Sequence, residues 1–332
     1  MAKLIQQELI KALASGEFIS GQLLGEVLCV SRTAVSKHVK VLIDMGLDIY
    51  SVTGKGYKLA EPLNLLSEEK ITDYLSQLSK SNKVEVHTII DSTNSYLMRH
   101  LISHNKDRKA MLLQGQVCLA EYQSDGRGRR GRQWVSPFGS HVYLSLYWQL
   151  EQGLSGAMGL SLVTALAISD AIKELLDINV ELKWPNDIYI GGVKLAGILI
   201  ELEGQASGPS DSVIGVGLNL RMPAHSAQLI DQPWTDLQSH SQKLIDRNQL
   251  CAVIISCLID RLKSHQEKGL TAMVDEWHKQ DVYLDKNVKL ITGDRVTSGI
   301  CRGINNQGAL QLEVDGVIKS IYGGEVSLRA TS

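Results

Sequence analysis

Gly126-Arg127-Gly128-Arg129-Arg130-Gly131-Arg132 lies between two apolar runs, Val117 to Tyr122 and His141 to Trp148, with Trp134 and Pro137-Phe138-Gly139 following it. Glycine tolerates the backbone angles that close wrapping of a ligand requires. Arginine stays charged and offers forked donors that match phosphate and carboxylate. A disordered Arg/Gly nucleic-acid tract would sit in polar, low-complexity sequence. These flanks predict strands instead, so the run is a loop inside a folded sheet and a small anion is its expected ligand.

The chain around this loop has 332 residues, 44% of them hydrophobic, enough for two or three domains. Its formal net charge of −2 means that any polyanion must meet a local patch. Cys29, Cys118, Cys251, Cys257 and Cys301 are scattered, with no C-x-x-C pair. That fits a reducing cytoplasm and argues against a disulfide framework or structural zinc. The N-terminus places Gln6, Gln7 and Glu8 inside its apolar pattern, unlike a secretory leader, and no apolar run approaches the ~20 residues of a membrane span. A cytoplasmic protein without a membrane partner is expected.

In the first sixty residues, Ile5, Leu9 and Leu13 recur at helical spacing and Gly16 closes that helix. Ser20 is the expected N-cap of a short helix burying Leu23, Leu24, Val27 and Leu28, and Ser31 the cap of the next. That next helix puts Val35, Val39 and Leu42 on one face, with Arg32, Thr33, Ser36, Lys37 and Lys40 on the other. Asp48 to Leu59 reads as a hairpin around Thr53-Gly54-Lys55-Gly56. Helix, tight turn, basic helix and lysine-tipped wing predict DNA binding, by Gly21, Arg32, Thr33 and Ser36 together with Lys37, Lys40 and Lys55. Pro62 marks the exit from this unit.

From Ser67 onward helical and strand patterns alternate, with closely spaced strands at Val180–Lys183, Ile188–Ile190, Lys194–Glu203 and Ser212–Asn219. Such spacing favours a mixed or antiparallel sheet with packed helices over a doubly wound parallel one. Four short stretches at strand ends draw notice: Asp91-Ser92-Thr93-Asn94, Gln123 before the loop, Lys183-Trp184-Pro185-Asn186-Asp187, and Lys194 leading the apolar stretch to Ile200. The first could be a helix cap, a ligand contact or both. The third is a turn carrying a cation, an amide and a carboxylate. Gly215-Val216-Gly217-Leu218-Asn219 ends another strand. Asn287 to Leu328 reads as short strands with glycine turns, a small antiparallel barrel.

In order and spacing, the Asp91–Asn94, Gly126–Arg132, Lys183–Asp187, Lys194–Leu199 and Gly215–Asn219 motifs resemble those of the biotin–protein ligases. With the helix-turn-helix, the whole length is similar to the bacterial bifunctional biotin ligases that also repress the biotin operon. The resemblance implies an α+β chain: a winged helix-turn-helix (1–64), a central mixed sheet with packed helices of biotin/lipoate-ligase type (65–272), and an SH3-like C-terminal barrel (273–332). It also implies ATP-dependent formation of biotinoyl-5′-AMP, with Mg²⁺ on the triphosphate, then transfer of biotin to a lysine of biotin carboxyl carrier protein. Biotinoyl-5′-AMP would act as corepressor, promoting a homodimer on operator DNA.

Carried over residue by residue, the biotin contacts are Ser92, Thr93, Asn94, Gln123, Gly126, Arg127, Gly128, Arg129, Trp134, Lys194 and Gly197. Nucleotide contacts are Arg129, Arg132, Lys183, Asn186 and Asn219, and the chemistry falls to Lys183, Arg127, Arg129 and Asp187. Because a mixed anhydride hydrolyses when water reaches it, Gly126–Arg132 and Gly204–Ser212 are expected to close over it as mobile covers. The sequence departs from the family in a long Leu101–Val117 stretch, expected to be a loop extension, and in His141, where an amide is expected and where the imidazole could tune ligand contacts. Three other readings stay open: a ligase with a non-regulatory winged helix, a ligand sensor without catalysis, and a lipoate-type acyl ligase.

Overall fold

The computed structural model describes residues 2–107, 111–151, 153, 157, 159–204, 208–292, 294–322 and 326–330. Three helices, α1 (Ala2–Leu13), α2 (Gly21–Val27) and α3 (Arg32–Asp44), precede a hairpin of β1 (Ile49–Val52) and β2 (Gly56–Leu59). Ser20 and Ser31 cap α2 and α3, accepting from the Leu23 and Ala34 N–H groups at 3.1 and 3.2 Å. The turn between them is tight because Gly25 has no side chain: a β-carbon there would stand 2.7 Å from the Val30 carbonyl oxygen. Leu9, Leu13, Leu24, Val35, Val39 and Leu42 form this unit's core. Leu23 and Val27 do not join it; both are exposed. The short α2 has one face against α3, and its helical period assigns that face to Gly21, Leu24 and Gly25.

The central unit contains α4 (Glu68–Gln77), β3 (Val84–His87), α5 (Thr93–Asp107), β4 (Val117–Ala120), β5 (Val142–Leu150) and α6 (Leu160–Leu176). It continues through β6 (Glu181–Lys183), β7 (Asp187–Ile190), β8 (Val193–Glu203), β9 (Ser210–Leu218), α7 (Ala224–Ala227), α8 (Arg247–Lys268) and α9 (Val274–Gln280). The seven strands lie in the order β3-β4-β5-β9-β8-β7-β6. β3 and β4 run parallel, and the remaining pairs are antiparallel. The sheet is therefore mixed, as expected.

Strand pleating sorts the sheet's side chains by face. Val142, Leu144 and Leu146 of β5 and Ile214, Val216 and Leu218 of β9 join α6 and α8 in the main core. Their alternates include Tyr147 and Val213, which pack in the cluster built around Leu97 and Leu101 of α5. Because α5 continues to Asp107, the Leu101–Val117 stretch begins as helix rather than as the expected loop; residues 108–110 lie outside the described residues.

The chain between the DNA-binding and central units is held by buried polar groups. Asn248 donates to the Leu65 carbonyl at 3.1 Å and accepts from the Ser67 N–H at 2.8 Å. Arg247 donates to the Asn64 carbonyl at 2.9 Å and to Glu121 at 2.7 Å. Both members of that ion pair are almost fully buried, so each depends on the other for charge compensation. Phe138 extends from the central unit into the DNA-binding core, and its N–H donates to the Met45 carbonyl at 3.1 Å. At the C-terminus β10 (Asn287–Thr292), β11 (Arg295–Ile304), β12 (Leu310–Val314), β13 (Val317–Ile321) and β14 (Val326–Ala330) form a five-stranded antiparallel sheet, ordered β13-β12-β11-β10-β14. It has the small antiparallel architecture expected of an SH3-like unit.

Candidate ligand cavity and DNA-binding face

Two cross-strand pairs, Leu199–Gly215 and Gly197–Gly217, form the floor of a cavity of about 540 Å³, with Ser145 and Tyr143 of β5 next in the same rows. The glycines are required by what lies on them. A β-carbon on Gly215 would come 2.3 Å from Asn94 Oδ1, and one on Gly217 would come 2.6 Å from the Trp134 ring. Trp134 also lies over Gly197, and its buried indole N–H has no acceptor among the described residues. The sequence signal of Gly215-Val216-Gly217 is thus a flat floor, legible only once the register is known.

One end of the cavity is lined by hydrogen-bonding groups whose charged neighbours are paired with one another. Ser92 caps α5 through the Ser95 N–H, 3.4 Å away. Asp91 does not cap; it forms a forked pair with Arg99, which holds its carboxyl at about 2. The Thr93 N–H donates to Gln123 Oε1 at 2.9 Å, while the Ser145 hydroxyl stands 2.7 Å from Thr93 Oγ1 and 2.5 Å from Asn94 Oδ1. Asn94 donates to Glu201 at 2.8 Å. Arg127 donates to both oxygens of Glu201 at 2.9 Å and to the Ser95 hydroxyl. Its charge is thereby compensated, so it anchors the loop. Glu201 and Ser145 were not singled out from sequence, although each interrupts an apolar stretch, Leu195–Leu202 and Val142–Trp148.

The Gly/Arg run folds back on itself as a compact hairpin. The Gly128 N–H donates to the Arg132 carbonyl at 2.7 Å and the Trp134 N–H to the Gly126 carbonyl at 2.8 Å. Arg130 and Gly131 are both left-handed, with φ of 61° and 68°; for Arg130 that conformation costs about 1–2 kcal/mol. Gly126 lies beneath the hairpin, where a β-carbon would meet Ser136 and the Trp134 carbonyl, and it does not line the cavity. Gly128 does. In the other expected cover, Gly204–Ser212, residues 205–207 lie outside the described residues.

The opposite end is cationic. Arg129, Arg130, Arg132, Lys183 and Lys194 line the cavity there, with Asp187 and Asp231 the only acids among the described lining residues, in a chain whose overall charge is −2. Arg129 donates to Asn186 at 3.1 Å; burial, with Arg130 beside it, pulls its guanidinium below the usual value. Asn186 in turn donates to the Ile198 carbonyl at 2.7 Å, which fixes the Trp184–Asp187 turn to β8. Lys194 pairs with Asp187 at 2.8 Å and lies 5.6 Å from the Trp134 ring centre. Lys183 is buried.

Two sequence expectations move. Asn219 is outside this cavity; it donates to the Thr235 carbonyl at 3.0 Å and borders a smaller adjoining space of about 70 Å³ with Asp231, Gln232 and Trp234. His141 does not line the cavity. It is fully buried, its Nδ1 accepts from the Leu220 N–H at 3.1 Å, and burial pulls its pKa from the ordinary 6.5 to about 4. The unfolded chain therefore binds this proton more readily, so the neutral imidazole's contribution is complete above pH 6.5 and disappears as pH falls through 4. His141→Asn, which keeps an acceptor for Leu220, should remove on the order of 3 kcal/mol of that acid-side loss. Urea unfolding of both proteins at pH 7 and pH 4.5 measures the difference.

On the DNA-binding unit, Arg32, Thr33, Ser36, Lys37 and Lys40 are all exposed along α3, and Lys55 is exposed at the hairpin tip between left-handed Gly54 and Gly56. Gly21 is buried against Tyr57 and Arg32, where it permits close packing.

Comparison with known proteins places these features in one family. Residues 86–219 match the biotin/lipoate A/B protein ligase family, residues 283–329 the biotin protein ligase C-terminal domain, and residues 5–58 an HTH domain. The chain is 48% identical to the bifunctional ligase/repressor BirA of Salmonella typhimurium and 46% identical to that of Escherichia coli, each across 97% of both chains. Among solved structures, a biotin protein ligase from Aquifex aeolicus in complex with biotin and ATP is similar at a TM-score of 0.62. Its identity is 27%, over 75% of this chain and 99% of that one.

Proposed function

The chain belongs to the bifunctional biotin ligase/repressors, and we propose that its cavity seats biotin at the Ser92–Asn94 end and ATP at the cationic end. It is an ATP-dependent biotin–protein ligase and a transcriptional repressor. The observation that carries the site assignment is the cavity's division. An uncharged hydrogen-bonding turn and a glycine floor under Trp134 suit biotin's ureido and thioether rings, while the concentrated cations suit a triphosphate.

In the first step an oxygen of biotin's carboxylate attacks the α-phosphorus of ATP. The bond to the bridging oxygen breaks, and pyrophosphate departs with its electron pair. Both reactants are anions, so Arg129, Arg132 and Lys183 bring them together and oppose the charge that builds on the phosphoryl oxygens. Arg127 holds the loop through Glu201. Lys194 lies beside Trp134 and in this reading faces biotin's chain and carboxylate. In this reading Mg²⁺ enters bound to the triphosphate as part of the substrate.

In the second step a lysine amine of biotin carboxyl carrier protein attacks the acyl carbon and AMP leaves. That amine must arrive neutral; in this reading either Asp187, which lines the cavity and pairs with Lys194, or Lys183 positions or deprotonates it. Units 1–64, 65–272 and 273–332 then have separate tasks: operator binding, catalysis, and support of nucleotide or carrier. Biotinoyl-5′-AMP held in the site acts as corepressor and promotes a homodimer whose α3 helices meet a two-fold operator. In this reading the signal runs along the chain from Trp134 to Phe138, four residues on, which packs in the DNA-binding core. The protein works in the cytoplasm, in keeping with its free cysteines.

Incubation with ATP, Mg²⁺, biotin and the carrier domain should add a single biotinoyl group to the carrier. Modification by lipoate in preference to biotin, in direct competition, would move the substrate to the lipoate-type alternative. For DNA, Lys37→Ala should weaken binding to all sequences and reduce the salt slope by about 1, whereas Arg32→Ala or Ser36→Ala should relax specificity. An unchanged affinity and salt slope for Lys37→Ala removes its phosphate role.

A further inference from the structure

The geometry points to Tyr189 and Tyr283 as positioning residues for Lys183, one through its hydroxyl and the other through its ring. This rests on the reading of Lys183 as the cation that meets the nucleotide's phosphates. Lys183 ends β6, and its buried ammonium donates to the Tyr189 hydroxyl at 2.8 Å. β6 and β7 place this pair: Lys183 faces Asp187 and Glu181 faces Tyr189 in the antiparallel register, which makes Lys183 and Tyr189 diagonal neighbours on one face. The ammonium lies 4.9 Å from the Tyr189 ring centre, but at a hydrogen-bond distance of 2.8 Å it is the oxygen that it meets.

Tyr283 comes from a different part of the chain, just before the C-terminal sheet. After α9 the chain runs along the free side of β6: Asp281 bridges Leu182 in parallel, and the Val282 N–H donates to the Leu182 carbonyl at 2.9 Å. Asp281 secures this segment by accepting from the Tyr283 N–H at 2.9 Å and from the Trp277 indole at 3.4 Å. The Tyr283 ring is thereby set 5.7 Å from the Lys183 ammonium, within the range of a cation–π contact. A buried ammonium needs such partners, because removal from water penalises its charge. Together the two tyrosines orient the ammonium within the cavity wall, and the segment leading to the C-terminal sheet becomes part of the adenylation site.

The test is single-turnover pyrophosphate release by the full-length protein at saturating biotin and MgATP, with biotin affinity measured by calorimetry. Tyr283→Leu should slow release about 10- to 30-fold while biotin affinity stays within about twofold, and Tyr283→Phe should recover most of the rate. Tyr189→Phe keeps a ring but loses the acceptor, and should slow release about 10-fold. Lys183→Met is the reference. If it is slow while the tyrosine variants are not, the positioning inference fails and the lysine reading stands. If Lys183→Met keeps full rate, both fail. A Tyr283→Phe protein as slow as Tyr283→Leu, or biotin affinity falling in step with rate and melting temperature, would also overturn the inference, since either marks a packing role.

Discussion

Lys183→Met should slow adenylate formation by about 10²- to 10³-fold, the loss typical of removing one preorganised charge or donor from a reacting group. Methionine retains the length and apolar stem of lysine, so the fold around β6 is kept and only the ammonium is lost. At 4% exposure, Lys183 leaves little room for water to take over its role. A low-dielectric setting makes each remaining interaction stronger and each lost one harder to replace. Biotin affinity should change little, because the turn proposed to hold biotin's ureido ring, Ser92 to Asn94, does not include Lys183. A burst measurement of pyrophosphate, compared with equilibrium biotin binding, separates the two effects. A parallel fall in both would place Lys183 in the biotin subsite.

Gly217→Ala should lower biotin affinity by about 10²-fold or more, the scale on which small misplacements of a site act. The new methyl group would stand 2.6 Å from the Trp134 ring, closer than carbon atoms approach, and β9 cannot withdraw because it is paired on both sides. Trp134 must therefore leave the floor. Strand formation itself does not suffer, since alanine loses less backbone entropy than glycine on folding. A protein that melts near the wild-type temperature but binds biotin weakly is the expected result, read by calorimetry and tryptophan fluorescence. Unimpaired binding would show that Trp134 does not wall the biotin subsite.

Local signals account for what could be read in advance. Ser20 and Ser31 precede apolar helical periodicity, and both cap helices. The closely spaced strands predicted a mixed sheet, which forms with the Gly/Arg run as a loop beside it. Contacts made only by folding were out of reach. Glu201 meets Arg127 across 74 positions, and Arg247 meets Glu121 across 126. In neither case does one residue's neighbourhood identify its partner. Leu23 and Val27 looked like core because they are apolar, yet α2 is too short to bury more than one face. His141 looked like a site residue because it adjoins the loop's second strand; it instead lies just before β5, beyond the rows that reach the cavity, where its Nδ1 accepts from the Leu220 N–H. The long α8 helix went unread, although its Asp246 cap and its apolar periodicity are both present in the sequence.

Native mass spectrometry of the intact protein after incubation with biotin and MgATP tests the central claim most directly. The account predicts retained biotinoyl-5′-AMP, one per chain, together with a shift from monomer toward dimer. Failure to form or retain the adenylate, with biotin and ATP both supplied, would contradict the assignment of the cavity and with it the corepressor mechanism.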